Sequence, residues 1–268
     1  MERLIIAGFG DIARRALPLL KREAFKLSRS DGFDLDRPET LVLPPAAALL
    51  NLAPPPPHGE TDTRTRNLIA ALEKGRILPA RVVYVSTSGV YGDCRGERVD
   101  EARPIAPATP RARRRADAER QWRAWCALKN IPLVVLRAPG IYAVDRLPLE
   151  RLRAGLPVRV PEDDIYTSHI HADDLAAAVV RALEADAPAG TYNAADDSEL
   201  KMGDWLDLVA DFAGMPRLPR GKPVDPFATE SRRLDNRRLK EGLGIRLRYP
   251  TVHHGLRHEH ATGTHQPA

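Results

Sequence analysis

The stretch Leu4-Ile5-Ile6-Ala7-Gly8-Phe9-Gly10-Asp11-Ile12-Ala13 constrains this chain more than any other. Its apolar start fits a buried strand, and two glycines one residue apart break it. Ile12, Ala16, Leu19 and Leu20 then fall on one side of a helical pattern that runs through Leu20. Strand, glycine turn and helix, in that order, can hold a dinucleotide. The first glycine permits the tight turn, and the second lets the backbone approach a pyrophosphate. The third position needs a small residue for helix–strand packing, which Ala13 supplies. The phosphates would lie at the helix N-terminus, where free N–H groups and the helix dipole favour anions. Gly8, Phe9, Gly10, Asp11 and Ile12 are therefore expected to bind the cofactor.

The rest of the chain continues the alternation. Strands are expected near residues 24–28 and at Ala48–Leu52, Arg81–Val85, Leu133–Leu136 and Gly190–Asn193. Helices are expected at Asn67–Glu73, Arg111–Leu128 and Asp174–Leu183. The strands are apolar throughout, which implies a parallel sheet covered on both faces. The expected fold is α/β, a Rossmann-type doubly wound parallel sheet with a small C-terminal lobe. The stretch from Ala13 to Leu49 is too short for a full further helix and strand, so the second crossover should be shortened. Pro54-Pro55-Pro56-Pro57 excludes both a helix and a central strand.

Length and composition fit this picture. The 268 residues suit one α/β domain over 1–252, with the lobe built from about 144–167 and 197–252. The last stretch, 253–268, carries His253, His254, His258, His260 and His265 and reads as a flexible, frayed tail. At 43% apolar the chain can bury a core, and a net charge of +5 does not by itself imply nucleic acid. Cys94 and Cys126 are too far apart for a paired-cysteine motif and too few for a disulfide framework. No apolar run reaches the roughly 18 residues of a membrane span. The N-terminus enters a strand almost at once, without the regions of a signal peptide. A cytoplasmic location is expected, with no membrane partner.

The end of the second strand usually selects the cofactor, an acid there suiting a ribose hydroxyl and an arginine a 2′-phosphate. Arg29 stands between Ser28 and Ser30, which favours NADP, while Asp31 keeps NAD open. Ser86-Thr87-Ser88-Gly89-Val90-Tyr91-Gly92 follows a strand whose C-terminal end should face the cofactor. A hydroxyl there can bond a substrate carbonyl or alcohol; the alternative is a turn that satisfies its own backbone.

These motifs occur in order with Arg137-Ala138-Pro139-Gly140-Ile141-Tyr142, His169-Ile170-His171-Ala172-Asp173-Asp174 and Tyr192-Asn193-Ala194-Ala195-Asp196. Together they resemble the NAD-dependent epimerase/dehydratase branch of the short-chain dehydrogenase/reductases, most nearly its atypical, YeeZ-like members. Ser231 to Asn236, Leu243-Gly244 and Tyr249-Pro250 are similar to that family's C-terminal lobe. The resemblance implies that Ala53, Pro54, Ser86, Pro139 and Ile141 join the glycine turn and Arg29 around the cofactor. It implies that Thr87 orients the substrate oxygen.

The family's catalytic Tyr-x-x-x-Lys falls, on this alignment, at Arg111 and Arg115. A tyrosine exchanges a proton during hydride transfer, whereas arginine stays protonated. Tyr91 and Tyr142 could replace it by position, Tyr91 being carried forward as catalytic beside Thr87; the other reading is that both pack against neighbouring loops. Arg111 and Arg115 could clamp an anionic substrate or a cofactor phosphate. The basic run from Arg111 to Arg123 lacks the aromatics of a nucleic-acid stacking surface and is read as a solvated helix face, without a nucleic-acid partner. His169 and His171 are read as part of a turn into a helix with an Asp N-cap, not as metal ligands. Two functions follow: an oxidoreductase using NADP or NAD on a small-molecule carbonyl or alcohol, or a non-catalytic NADP-sensing protein.

Overall fold

The computed structural model describes residues 3–222 and 230–261. Along the chain run β1 (Leu4–Ala7), α1 (Asp11–Ala16), β2 (Ala24–Leu27), β3 (Ala48–Asn51), α2 (Thr63–Lys74), β4 (Arg81–Thr87) and β5 (Arg98–Val99). Then come α3 (Pro110–Lys129), β6 (Leu133–Ala138), β7 (Gly140–Tyr142), α4 (Leu149–Arg153), β8 (Tyr166–Thr167) and β9 (His169–His171). The chain continues through α5 (Ala172–Ala182), β10 (Gly190–Asn193), β11 (Leu200–Lys201), α6 (Met202–Ala213), β12 (Arg233–Leu234) and α7 (Val252–Ala261).

Six strands form one parallel sheet in the order β10-β6-β4-β3-β1-β2. Alternate residues of β4 show why both faces must be covered. Val83 and Val85 enter one apolar cluster, with Ile12 and Ala13 of α1 and Leu175 and Val179 of α5. Val82 and Tyr84 enter the other, with Leu68 of α2 and Trp122 of α3. Helices on both faces of a parallel sheet make this a Rossmann-type fold. From β1 the chain turns outward to β2 and then returns to the other side of β1 as β3. The direction of winding therefore reverses between β1 and β3, and ligands in such sheets bind in the crevice at that switch.

The shortened crossover is present. Between β2 and β3 the described chain has only two single-turn 3₁₀ segments, Arg29–Asp31 and Pro38–Thr40, where a helix would otherwise stand. Other expectations need correction. The first helix does not run through Leu20 but ends at Ala16 and tightens into a 3₁₀ turn over Leu17–Leu19. Pro18 has no N–H to continue an α-helical ladder, and its ring crowds the preceding turn. His171, not an aspartate, caps α5, its Nδ1 accepting the Asp173 N–H at 3.2 Å.

The lobe has its own small core, in which Leu152, Val158, Trp205, Leu206, Val209 and Leu218 pack with Tyr142. It is narrower than the sequence suggests: Leu239, Leu243, Ile245 and Leu247 join the main core against the sheet instead. The stretch read as a frayed tail begins as α7, whose Val252 and Leu256, four residues apart on one helix face, are buried in the lobe. His253 and His254 lie on that helix, and His265 falls outside the described residues.

Candidate functional site

The C-terminal ends of β1, β2, β3, β4 and β6 open into one cleft of about 430 Å³ at the switch point. Its floor is the glycine turn. Gly8 has φ +86°, and a Cβ there would lie 2.6 Å from the Ala53 N and Cα atoms. Only glycine lets the end of β1 approach the end of β3 so closely. Asn51 fixes the other side of this contact, its Oδ1 accepting the Ala53 N–H at 3.0 Å. Gly10 precedes α1, and a Cβ there would meet nothing within 4 Å. Gly10 also lines the cleft, so a ligand there would meet its backbone with no side chain between. Ala13 is fully buried between α1 and the sheet, as the small third position requires.

Asp11, an acid at the start of α1, is neutralised locally. It accepts from Arg15 at 2.9 Å and from Arg146 at 2.7 Å. Burial alone would raise its carboxyl, but the bonds from Arg146 and Arg15 outweigh that and hold it below the ordinary value. Arg146 arrives from the lobe and lines the cleft, a contribution the sequence does not reveal because it is 135 residues from Asp11. Arg64 of α2 is a second such residue: it binds Asp36 at 2.8 Å and the Pro54 carbonyl at 3.0 Å, joining the short crossover to the proline run.

At the end of β2, Ser28, Arg29 and Ser30 line the cleft and Asp31 does not. The Asp31 carboxylate accepts from the Ser28 hydroxyl. Among the described residues the Arg29 side chain makes no hydrogen bond or ion pair. At the end of β4, Ser86 is 4% exposed and lines the cleft, and its hydroxyl has no partner among the described residues. Thr87 lies beside it, its Oγ1 accepting the Gly89 N–H at 3.2 Å and its own proton remaining free to donate. Pro139 and Ile141 complete the wall, whereas Pro54 is not part of it.

Arg111 and Arg115 both line the cleft, but in different ways. Arg115 is 9% exposed, and its Nη1 is shared among the Val85 carbonyl at 3.0 Å, Tyr84 Oη at 3.1 Å and the Ala53 carbonyl at 3.3 Å. It braces the ends of β3 and β4. Arg111 makes no hydrogen bond or ion pair among the described residues. The basic run is the expected solvated face only in part: Arg111, Arg113, Arg120 and Arg123 are exposed, and Arg114 and Arg115 are buried. Arg114 is buried on the Gly59 carbonyl, Arg113 pairs with Glu60, Arg120 with Asp117, and Arg123 with Glu119.

Tyr91 stands apart from the cleft. It is 2% exposed, donates to Asn193 Oδ1 at 2.8 Å, and carries the Arg137 guanidinium 4.7 Å from its ring centre. Burial pushes its phenol above the ordinary value against the pull of Arg137. Its place just past a strand end could not show which way the side chain turns. Tyr142 likewise belongs to the lobe core. Among the described residues that line the cleft there is no Tyr, Lys or His.

Comparison with known proteins fits this geometry. Residues 63–195 match the NAD dependent epimerase/dehydratase family. A conserved protein of unknown function from Silicibacter pomeroyi DSS is 30% identical, with 98% of this chain and 99% of that one superposed at a TM-score of 0.77. The UDP-glucose 4-epimerase of Thermus thermophilus, solved with NAD, superposes over 99% of this chain and 100% of its own at a TM-score of 0.75 and 22% identity. Human dTDP-D-glucose 4,6-dehydratase is 24% identical over 175 residues, 55% of this chain, and the match spans only about half (49%) of that enzyme's length. No helix among the described residues is long and apolar enough to cross a membrane.

Proposed function

Since this chain belongs to the NAD-dependent epimerase/dehydratase family, we propose that its cleft binds a nicotinamide dinucleotide and that the protein is an oxidoreductase acting on a carbonyl or alcohol. One observation carries the reading: a glycine turn pressed against the end of β3 at the switch point of a parallel sheet, with open space over Gly10. The residues suit such a group. The backbone after Gly8 cradles the diphosphate, and Arg15 and Arg146, by pairing with Asp11, offset the repulsion of that carboxylate. Arg29 offers a 2′-phosphate a cation with no partner among the described residues, beside the bonded Ser28 and Ser30 hydroxyls, which favours NADP over NAD.

When bound, the nicotinamide gives or takes a hydride at the substrate carbon. Thr87 donates its free hydroxyl proton to the substrate oxygen, and Ser86 offers the unpartnered hydroxyl beside it. The oxygen gains or loses one proton as the carbon gains or loses the hydride. With only arginines and hydroxyls at this end of the cleft, that proton passes through Thr87, from water in reduction and to water in oxidation. The same absence of Tyr, Lys and His supports a second reading, a sensor that binds the dinucleotide without chemistry.

Fluorescence titration with NADPH and NADH, followed by transfer of deuterium from 4-deuterated NADPH to a panel of carbonyl compounds, tests both. Saturable binding with transfer is expected. Binding without transfer to any carbonyl favours the sensor, and failure of both coenzymes to bind overturns the cofactor reading.

A further inference from the structure

The first turn of α3 is electrostatically inverted. A helix N-terminus carries partial positive charge and is normally stabilised by acids. Here the first turn holds no acidic residue, and Arg111, Arg113, Arg114 and Arg115 follow one another closely. Three of them have partners within the fold: Glu60, the Gly59 carbonyl, and the brace between β3 and β4. Arg111 has none among the described residues and lines the cleft. It is exposed at the mouth, yet the surrounding protein strips part of its water, and the desolvation together with repulsion from Arg115 and Arg114 lowers its affinity for its own proton.

The end of β4 lies against this turn. A Cβ on Gly89 would sit 3.6 Å from the Thr87 side chain and 3.7 Å from that of Ala112, the neighbour of Arg111. Ser86, Thr87 and Arg111 all line the cleft, and the Thr87 end of β4 meets the first turn of α3 that carries Arg111. Ser86 is almost wholly buried with its Oγ unpartnered, which costs stability unless a bound group completes it.

We propose that this end of the cleft takes a small carbonyl or hydroxy compound bearing a carboxylate or phosphate one or two bonds from its reacting carbon, with Arg111 holding the anion while Ser86 and Thr87 hold the neighbouring oxygen. The proposal rests on the cofactor reading above and narrows its substrate to anionic molecules. An anion here would pair with the unopposed guanidinium and meet the positive end of α3, while the neighbouring oxygen occupies the unsatisfied Ser86 hydroxyl. Arg115, which sequence alone places beside Arg111 as a second clamp, is held by the ends of β3 and β4 and leaves the grip to Arg111.

The test is calorimetric titration of the NADP-loaded protein with malonate and, separately, with inorganic phosphate, for wild type, Arg111→Ala and Arg111→Lys. One of the two anions is expected to bind the wild-type complex, and which one identifies the carboxylate or the phosphate as the natural group. Arg111→Ala should weaken that anion at least tenfold, Arg111→Lys less, and NADP affinity should stay within twofold in both. Unfolding curves check that each variant remains folded. Anion binding indifferent to Arg111, or none to the wild-type complex, overturns the anion site while leaving the cofactor reading standing. Failure of the wild type to bind NADP overturns both.

Discussion

Gly8 and Gly10 are two residues apart and face opposite constraints. At Gly8 the backbone is left-handed and the space for a side chain is filled by the Ala53 backbone. Gly8→Ala should therefore cost stability, more than about 2 kcal/mol in urea unfolding, because both strain and clash fall on the protein itself. At Gly10 the backbone is extended and the space is open. Gly10→Val should stay within about 1 kcal/mol of wild type yet weaken NADPH at least tenfold, since the added methyls occupy the ligand's approach. A variant that unfolds no more easily and still binds NADPH normally would show that the diphosphate does not lie there. Arg29 can be tested at the same scale. Arg29→Ala should weaken NADP by tenfold or more and NAD by far less, through loss of a charge-assisted contact to the 2′-phosphate. Equal losses would place Arg29 on a part that both coenzymes share. The two glycines were legible because their spacing between a strand and a helix is a local pattern, although the contact that requires Gly8, the Ala53 backbone, is not. Tyr91 was not, because the direction of a side chain past a strand end depends on what it meets, here Asn193 of a distant strand.

At the scale of elements, legibility depended on whether the signal was local. The missing crossover helix followed from chain length alone, and the parallel sheet from apolar strands spaced by helices. The role of α3 did not follow. Arg114 and Arg115 looked solvated because their partners, the Gly59 carbonyl and the strand ends, lie far off in sequence. The Val252–Leu256 spacing could have signalled α7, but the histidines around it suggested a tail. A second tie between α3 and the sheet is equally non-local. Glu119 meets Arg137 of β6 in a bidentate pair, 3.1 and 2.8 Å, with both side chains buried. Removing one partner of such a pair leaves the other charged and buried. Glu119→Ala should cost about 3–5 kcal/mol in urea unfolding. A double replacement, Glu119→Met with Arg137→Met, should recover most of that loss, since a buried pair exchanged for apolar packing is often neutral. A loss under about 1 kcal/mol in the single variant would mean that water reaches Arg137 and the pair does not join α3 to the sheet.

The whole molecule should respond to pH through two buried groups near the junction of sheet and lobe, where the Asp196 N–H bonds the His169 carbonyl at 2.7 Å. Burial lowers His169 from 6.5 to about 3. The unfolded chain then binds a proton that the fold refuses between those values, so stability from His169 is present above 6.5 and is lost as pH falls toward 3. Burial raises Asp196 from 3.8 to about 8, against the Ser198 backbone bond that lowers it. Here the fold holds a proton that the unfolded chain has released, so stability is present below 3.8 and is lost as pH rises toward 8. Between about 4 and 6.5 the two slopes oppose each other; above 6.5 only the Asp196 slope remains. One proton is worth about 1.4 kcal/mol per pH unit, so the wild type should lose on the order of 1–2 kcal/mol between pH 6.5 and 8. Asp196→Asn, uncharged at every pH, should flatten that decline in urea unfolding curves and, between about 4 and 6.5, leave the His169 slope unopposed, so that stability there rises with pH. A decline of equal size in both proteins would show that Asp196 is ionised in the fold at neutral pH and that water reaches the junction.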